Sequence, residues 1–142
     1  MVEIAGDARS SAEWIGERLE SLGYAADFRP QSLREVDRFF DDNFRAALPR
    51  RRFRREFSEL VDPSGRSWRF AIVAYVGEVI RQAVGGEWVT DDCQDAEMID
   101  MTLVLPSGRA VMPLIQVVRS MTRGHEATLV HFGIDCGLAI EP

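Results

Sequence analysis

One carboxylate stands out among the residues that could do chemistry. Glu78 lies inside the most apolar segment of the chain, WRFAIVAYVGEVIRQAV at positions 68–84. Burying a carboxylate costs free energy unless a partner satisfies it, so Glu78 needs an ion pair or hydrogen bonds. In a structural interpretation the partner is an arginine, either Arg81 three residues further on or one from elsewhere in the chain, or it is the backbone of the following loop. In a functional interpretation Glu78 is a general base or ligand anchor, near Tyr75 and Trp88 at the mouth of a pocket.

Two charged runs form a second chemical feature. All 17 basic residues are Arg, and the segment 45–55 holds six of them with no acid, whereas 87–100 holds six acids with no base. Guanidinium groups form ion pairs with carboxylates. We therefore predict that the basic run pairs with the acidic run, within one chain or between two copies, or that the runs bind a partner protein. Nucleic acid is the least favoured partner of an acidic chain. The candidate interaction residues are Arg50, Arg51, Arg52, Arg54, Arg55, Asp91, Asp92 and Asp95.

Other arrangements of catalytic or metal-binding residues are weak. The acids after Asp91 do not have the spacing of an EF-hand. In a zinc site made of the two Cys and two His residues, only His131 and Cys136 would be close enough in sequence. A thiolate at Cys136 would need that histidine as its base, but a cysteine in an apolar tail is typically a small core residue. We therefore predict no catalytic residue, no metal and no cofactor.

Helical periodicity accounts for most of the chain before residue 85. Two Ser-x-x-Glu pairs, at 10–13 and 32–35, have the pattern of a capping box. They predict one helix at about 11–22 and another that opens at the second pair, with Asp37 on its polar face. The segment 68–84 is apolar around most of its circumference, which predicts a central buried helix.

After Gly86 the pattern changes to the alternation of β-strands. Strands are predicted at 99–105 and 109–112, joined by a hairpin, with a possible third strand at 87–90. Pro113 suits the first position of a helix that ends near Gly124. The tail at 125–140 fits either a strand or a short helix. Together these elements predict a single α+β domain over 1–142. In this domain the N-terminal helices and the central helix pack on a small antiparallel meander with a C-terminal helix.

Length and composition narrow the class of protein. The chain has 142 residues, a net charge of −6 and 46% hydrophobic residues, which is typical of one soluble globular domain. Its first 20 residues hold five acids and no apolar run, and no segment is apolar enough to cross a membrane. We therefore predict a cytoplasmic protein with no membrane partner and with its two cysteines reduced.

Two segments resemble a known group of sequences. Positions 75–81, YVGEVIR, followed by GGEW at 85–88, resemble a Y-x-G-E-[VI]-[ILV]-R helix that runs into G-G-x-W in a group of small bacterial domains of unknown function. Phe28 and the segment 32–37, SLREVD, resemble the element that precedes this motif in the same group. The resemblance implies an α+β domain in a soluble bacterial protein, and it implies nothing about substrate or partner.

Two hypotheses about function remain, one for a binding module and one for a small-molecule site. The favoured one is a small non-catalytic protein-interaction or regulatory module of bacterial origin, because no set of nucleophile, base and orienting group can be assembled. It would bind a partner protein or a second copy of itself. The alternative is a small ligand-binding domain or enzyme whose pocket is lined by Glu78 and Tyr75, with Arg81 and Trp88 beside them.

Overall fold

The structure, a computed structural model, describes residues 4–43, 65, 67–89, 101–124 and 128–140. Within these ranges the chain forms five helices and a three-stranded antiparallel sheet, which confirms the predicted α+β class. The helices are α1 (Ile4–Ser21), α2 (Ser32–Asn43), α3 (Trp68–Val84), α4 (Pro113–Arg123) and α5 (Leu129–Asp135). The strands are β1 (Glu87–Val89), β2 (Thr102–Val104) and β3 (Ala110–Val111), in the spatial order β1-β2-β3.

Helix α3 is the centre of the core, as its all-round apolar sequence predicts. It begins after Ser67, whose hydroxyl accepts a hydrogen bond from the Phe70 amide at 3.3 Å. Every residue from Phe70 to Ile80 is buried. Helix α1 packs along α3 with a stripe of buried apolar side chains. These are Ala8, Ala12, Ile15 and Leu19.

The predicted start of the first helix is wrong, whereas the second helix begins at Ser32 as predicted but without the predicted capping box. Helix α1 begins at Ile4 rather than after Ser10, because the buried stripe already includes Ala8 and continues through the Ser-x-x-Glu pair. At the second pair the Ser32 amide donates to the Arg29 carbonyl at 2.9 Å, so no capping box closes there. The Glu35 carboxylate instead accepts from the Ala25 amide at 3.0 Å.

The three strands form the predicted meander. Trp88 pairs with Leu103 and Leu103 with Val111, so three buried side chains share one face of the sheet. At the hairpin between β2 and β3 the Leu105 carbonyl accepts from the Gly108 amide at 2.8 Å. Gly108 has φ +89°, a conformation that glycine adopts without steric cost and that this turn requires.

The tail at 128–140 contains a short helix, α5, which the sequence left undecided. The Thr128 hydroxyl caps it by accepting from the His131 amide at 3.2 Å. Asp37 of α2 reaches the same end, where its carboxylate accepts from the Leu129 amide at 3.0 Å and from the Val130 amide at 3.2 Å. The predicted position of Asp37 on a polar face is therefore wrong, because this side chain is buried, only 8% exposed, and satisfies the N-terminus of another helix.

Asp37 also holds α4. Its carboxylate accepts from the fully buried Ser120 hydroxyl at 2.9 Å. One carboxylate thus joins α2, α4 and α5 and fixes the spacing of the last two helices. No helix among the described residues is long and apolar enough to span a membrane.

Candidate functional site

Glu78 lies in the interior of the protein with two hydrogen-bonding partners. Its side chain is 1% exposed, and Oε2 and Oε1 accept from Arg81 Nε and Nη2 at 2.5 and 2.9 Å. Trp88 Nε1 donates to the same Oε2 at 2.9 Å. A charged bidentate pair together with an indole donor satisfies the carboxylate, and this favours the structural interpretation of Glu78.

Gly77 is the reason that Trp88 reaches Glu78. The six-membered ring of Trp88 lies against the α3 backbone at this glycine, and a Cβ there would overlap the ring. Trp88 is only 8% exposed, so it seals the Glu78–Arg81 pair from one side. The motif that the sequence singled out, G-E-x-x-R with a tryptophan after G-G, is therefore a packing device that fixes β1 to α3.

Tyr75 has its own partners, and none of them is Glu78. It is fully buried, its hydroxyl donates to Ser32 Oγ at 2.8 Å, and it accepts from the Phe28 amide at 3.2 Å. The rings of Phe28 and Tyr75 also pack at 4.7 Å between centroids. Among the predicted pocket residues, the structure brings Glu78, Arg81 and Trp88 together and leaves Tyr75 in a separate contact.

Burial of Tyr75 predicts a loss of stability at alkaline pH. Desolvation raises the pKa of Tyr75 to about 12, from 10.0 in the unfolded chain. The unfolded state therefore releases this proton first, and the free energy of unfolding should decrease by about 2–3 kcal/mol as the pH rises from 10 to 12. Urea unfolding between pH 8 and 12 measures this decrease.

The control for Tyr75 is the Tyr75→Phe variant, which has no phenol to ionise. It should be less stable at neutral pH by about 1 kcal/mol, since it lacks the hydrogen bonds of the hydroxyl. Its stability should then decrease less steeply above pH 10 than that of the wild type. Burial also raises the pKa values of Tyr24 and Cys136, so a smaller decrease remains in both proteins. Equal slopes for variant and wild type would contradict the assignment to Tyr75.

Several predicted candidates lie outside the described residues. These are Arg50, Arg51, Arg52, Arg54, Arg55, Asp91, Asp92 and Asp95, together with Cys93 and His125. Of the remaining zinc candidates, Cys136 is buried, whereas His131 is exposed and contacts the Thr128 hydroxyl at 2.9 Å. Within the described ranges no three His, Cys, Asp or Glu side chains gather around a point that could hold a metal ion.

The largest cavity that we describe lies elsewhere, between β3, α4 and α5. It is an open groove of about 700 Å³. Its lining includes the buried Val111 and Phe132. Seven charged or polar residues also line the groove. They are Arg109, Gln116, Arg119, Arg123, Thr128, His131 and Asp135. We call this cavity the basic groove; neither Glu78 nor Tyr75 lines it.

The arginines of the basic groove differ in their partners. At one end Arg109 Nη2 and Nη1 donate to the Asp135 carboxylate and carbonyl at 2.7 and 3.1 Å. This pair is solvent-exposed, with half of the Arg109 side chain accessible. Arg119 and Arg123 lie one turn apart on α4 and have no ion pair among the described residues. The groove therefore offers two exposed guanidinium groups that are free to bind an anion.

Reasoning from sequence missed this groove. By sequence position, Arg119 and Arg123 precede Gly124 near the end of the predicted helix, which indicates only favourable charges at a helix C-terminus. The signal that could have found them is the four-residue spacing of Ile115, Arg119 and Arg123, which places them on one face of α4, away from the buried Val117 and Ser120. The contribution of the tail could not have been found, because its helix was undecided.

Comparison of the chain with models of protein families, with curated proteins and with solved structures finds no match. The site is therefore interpreted from its own geometry.

Proposed function

We propose that the chain is a non-catalytic protein-interaction module of bacterial origin that acts in the cytoplasm, and that it binds its partner through the basic groove. The observation that supports this most directly is the contrast between the interior and the surface. The candidate bases Glu78, Tyr75 and Asp37 are buried and hydrogen-bonded. The exposed groove instead combines apolar side chains with two arginines that have no ion pair among the described residues.

The interior groups have no access to a substrate. Glu78 is 1% exposed, Tyr75 is 0% exposed and Asp37 is 8% exposed, and each makes at least two hydrogen bonds within the protein. A general base must come within hydrogen-bond reach of the proton that it removes. Each of these three groups would first have to break its present hydrogen bonds. Their geometry therefore favours a role in stabilising the fold over a role in catalysis.

The surface around the basic groove has the composition of a binding site for protein. Ile115 lines the groove at 41% exposure, and Val118 and Ile134 lie on the same two helices at 49% and 39%. Arginine is enriched in protein interfaces, and its guanidinium pairs with carboxylates across the rim. Exposed apolar side chains beside arginine are therefore expected where a partner docks.

Photo-crosslinking in the cells that make the protein tests this proposal. A benzophenone amino acid at position 115 lies in the groove, and the same residue at Leu22 is the control. Leu22 is similarly exposed, at 43%, and lies beyond the end of α1, outside the groove. We expect the probe at Ile115 to form an adduct with one discrete protein and the probe at Leu22 to form none. No adduct at position 115, or the same adducts from both positions, would contradict the proposal.

A further inference from the structure

We propose that the basic groove binds an extended segment of the partner protein in which an apolar residue is followed, at alternate positions, by two acidic residues. This inference rests on the proposed function and names the chemistry of the partner. It is carried by the charge of the groove and by the order of the side chains along α4.

The charge of the basic groove opposes that of the rest of the molecule. Its lining holds three arginines and one aspartate, in a chain whose net charge is −6. Only Arg109 is paired with that aspartate, so Arg119 and Arg123 present their charge to solvent. A positive groove on an acidic protein attracts acidic ligands and repels basic ligands.

The order of side chains along α4 sets the pattern of the ligand. Ile115, Arg119 and Arg123 succeed one another at intervals of four residues, which is about 6 Å along a helix. Alternate residues of an extended peptide are about 6.6 Å apart on one face. An extended segment that lies along α4 and runs in the same direction as this helix therefore meets Ile115 with an apolar side chain and the two arginines with acids at its second and fourth following positions. Each guanidinium can take a carboxylate in bidentate fashion.

The apolar part of the basic groove favours peptide over nucleic acid. Ile115 and the partly buried Met112 would remain uncovered by a bound phosphate chain. Surfaces that bind single strands present several aromatic rings on which bases stack. In this lining the ring of Phe132 is only 7% exposed, which leaves the imidazole of His131 as the one exposed ring. An acidic and apolar peptide uses both kinds of side chain that the groove offers.

Selection from a display library of random 12-residue peptides tests the inference. Against the wild-type protein we expect enrichment of sequences in which an apolar residue precedes two alternate Asp or Glu residues. A synthetic peptide from the enriched pool, labelled with fluorescein, then gives Kd by fluorescence anisotropy. Replacing its two acids by Asn or Gln should weaken binding, and so should replacing its apolar residue by Ser.

The matched variants are two double charge reversals. Arg119→Glu with Arg123→Glu changes the groove, and Arg9→Glu with Arg18→Glu makes the same change of net charge on α1. We expect the groove variant to bind the peptide at least roughly tenfold more weakly, and the α1 variant to stay within about threefold of the wild type. Circular dichroism confirms that both variants are folded.

Three outcomes would overturn the inference. They are a library that yields no acidic motif, peptide binding that both double variants weaken equally, and retention of a 20-nucleotide single-stranded DNA at physiological salt that only the groove variant loses. The last result would assign the groove to nucleic acid. A protein adduct at position 115 without an acidic motif would leave the proposed function standing and remove only this account of the ligand.

Discussion

Replacing Gly77 by Ala should destabilise the protein by about 2–4 kcal/mol, although alanine is the better helix former. A Cβ at this position overlaps the six-membered ring of Trp88, which is buried against the α3 backbone. The ring has to move, and it then loses its packing and its hydrogen bond to Glu78. These losses outweigh the gain of about 1 kcal/mol expected from helix propensity. Urea unfolding measures the change, and a red shift of tryptophan emission should accompany it.

The matched control is Gly16→Ala. Gly16 is also a buried helical glycine, in α1, but a Cβ there meets its nearest neighbours at 3.5–3.6 Å, which is ordinary van der Waals contact. We expect this variant to be as stable as the wild type or more stable by up to about 1 kcal/mol. If the two variants changed stability equally, the close approach of Trp88 to Gly77 would not be the cause.

Replacing Arg81 by Met should cost about 2–4 kcal/mol. The variant leaves the Glu78 carboxylate, 1% exposed, without its only ion-pair partner among the described residues, while the methionine still fills the space of the arginine stem. An unpaired buried charge is one of the most destabilising changes in a protein. Because the side chain of Arg81 is 27% exposed, we expect this loss of stability to lie at the lower end of the range for fully buried ion pairs.

A second substitution should rescue this loss. In the double variant Arg81→Met with Glu78→Gln no charge is buried, and the glutamine carbonyl still accepts the hydrogen bond from Trp88 Nε1. We expect it to recover most of the stability, with a coupling free energy of about 2 kcal/mol in the double-mutant cycle. Additive losses would mean that Glu78 and Arg81 act independently, and the structural interpretation of Glu78 would then lose its support.

Local sequence patterns determined most of the secondary structure. The all-apolar segment at 68–84 determined a central helix, because a helix without a polar face has to be buried. Alternation and turn residues determined the hairpin at 105–109, because few residues other than glycine adopt the backbone conformation of Gly108. The start of α1 was not determined, since a Ser-x-x-Glu pair inside a longer apolar stripe does not differ locally from one that caps a helix.

The sequence also determined that Glu78 needs a partner, and Arg81 at the helical spacing was the nearest one. It did not determine the second partner, because Trp88 reaches Glu78 only through a turn whose path depends on how β1 docks on α3. Asp37 is a stronger example of a side chain whose partners the sequence did not determine. Its partners Ser120, Leu129 and Val130 lie more than 80 residues away, so periodicity placed it with the polar residues of its own helix.

The basic groove is a product of tertiary structure alone. The sequence determined that Ile115, Arg119 and Arg123 share a helix face, because their spacing matches the period of the helix. The exposure of that face, and the residues that lie across the groove from it, depend on the position of α5. The contacts of Asp37 that hold α4 and α5 set this position. Those contacts join segments far apart in sequence, which no local pattern specifies. Only the folded chain turned one face of α4 into a groove with two exposed arginines that form no ion pair within the described part of the chain.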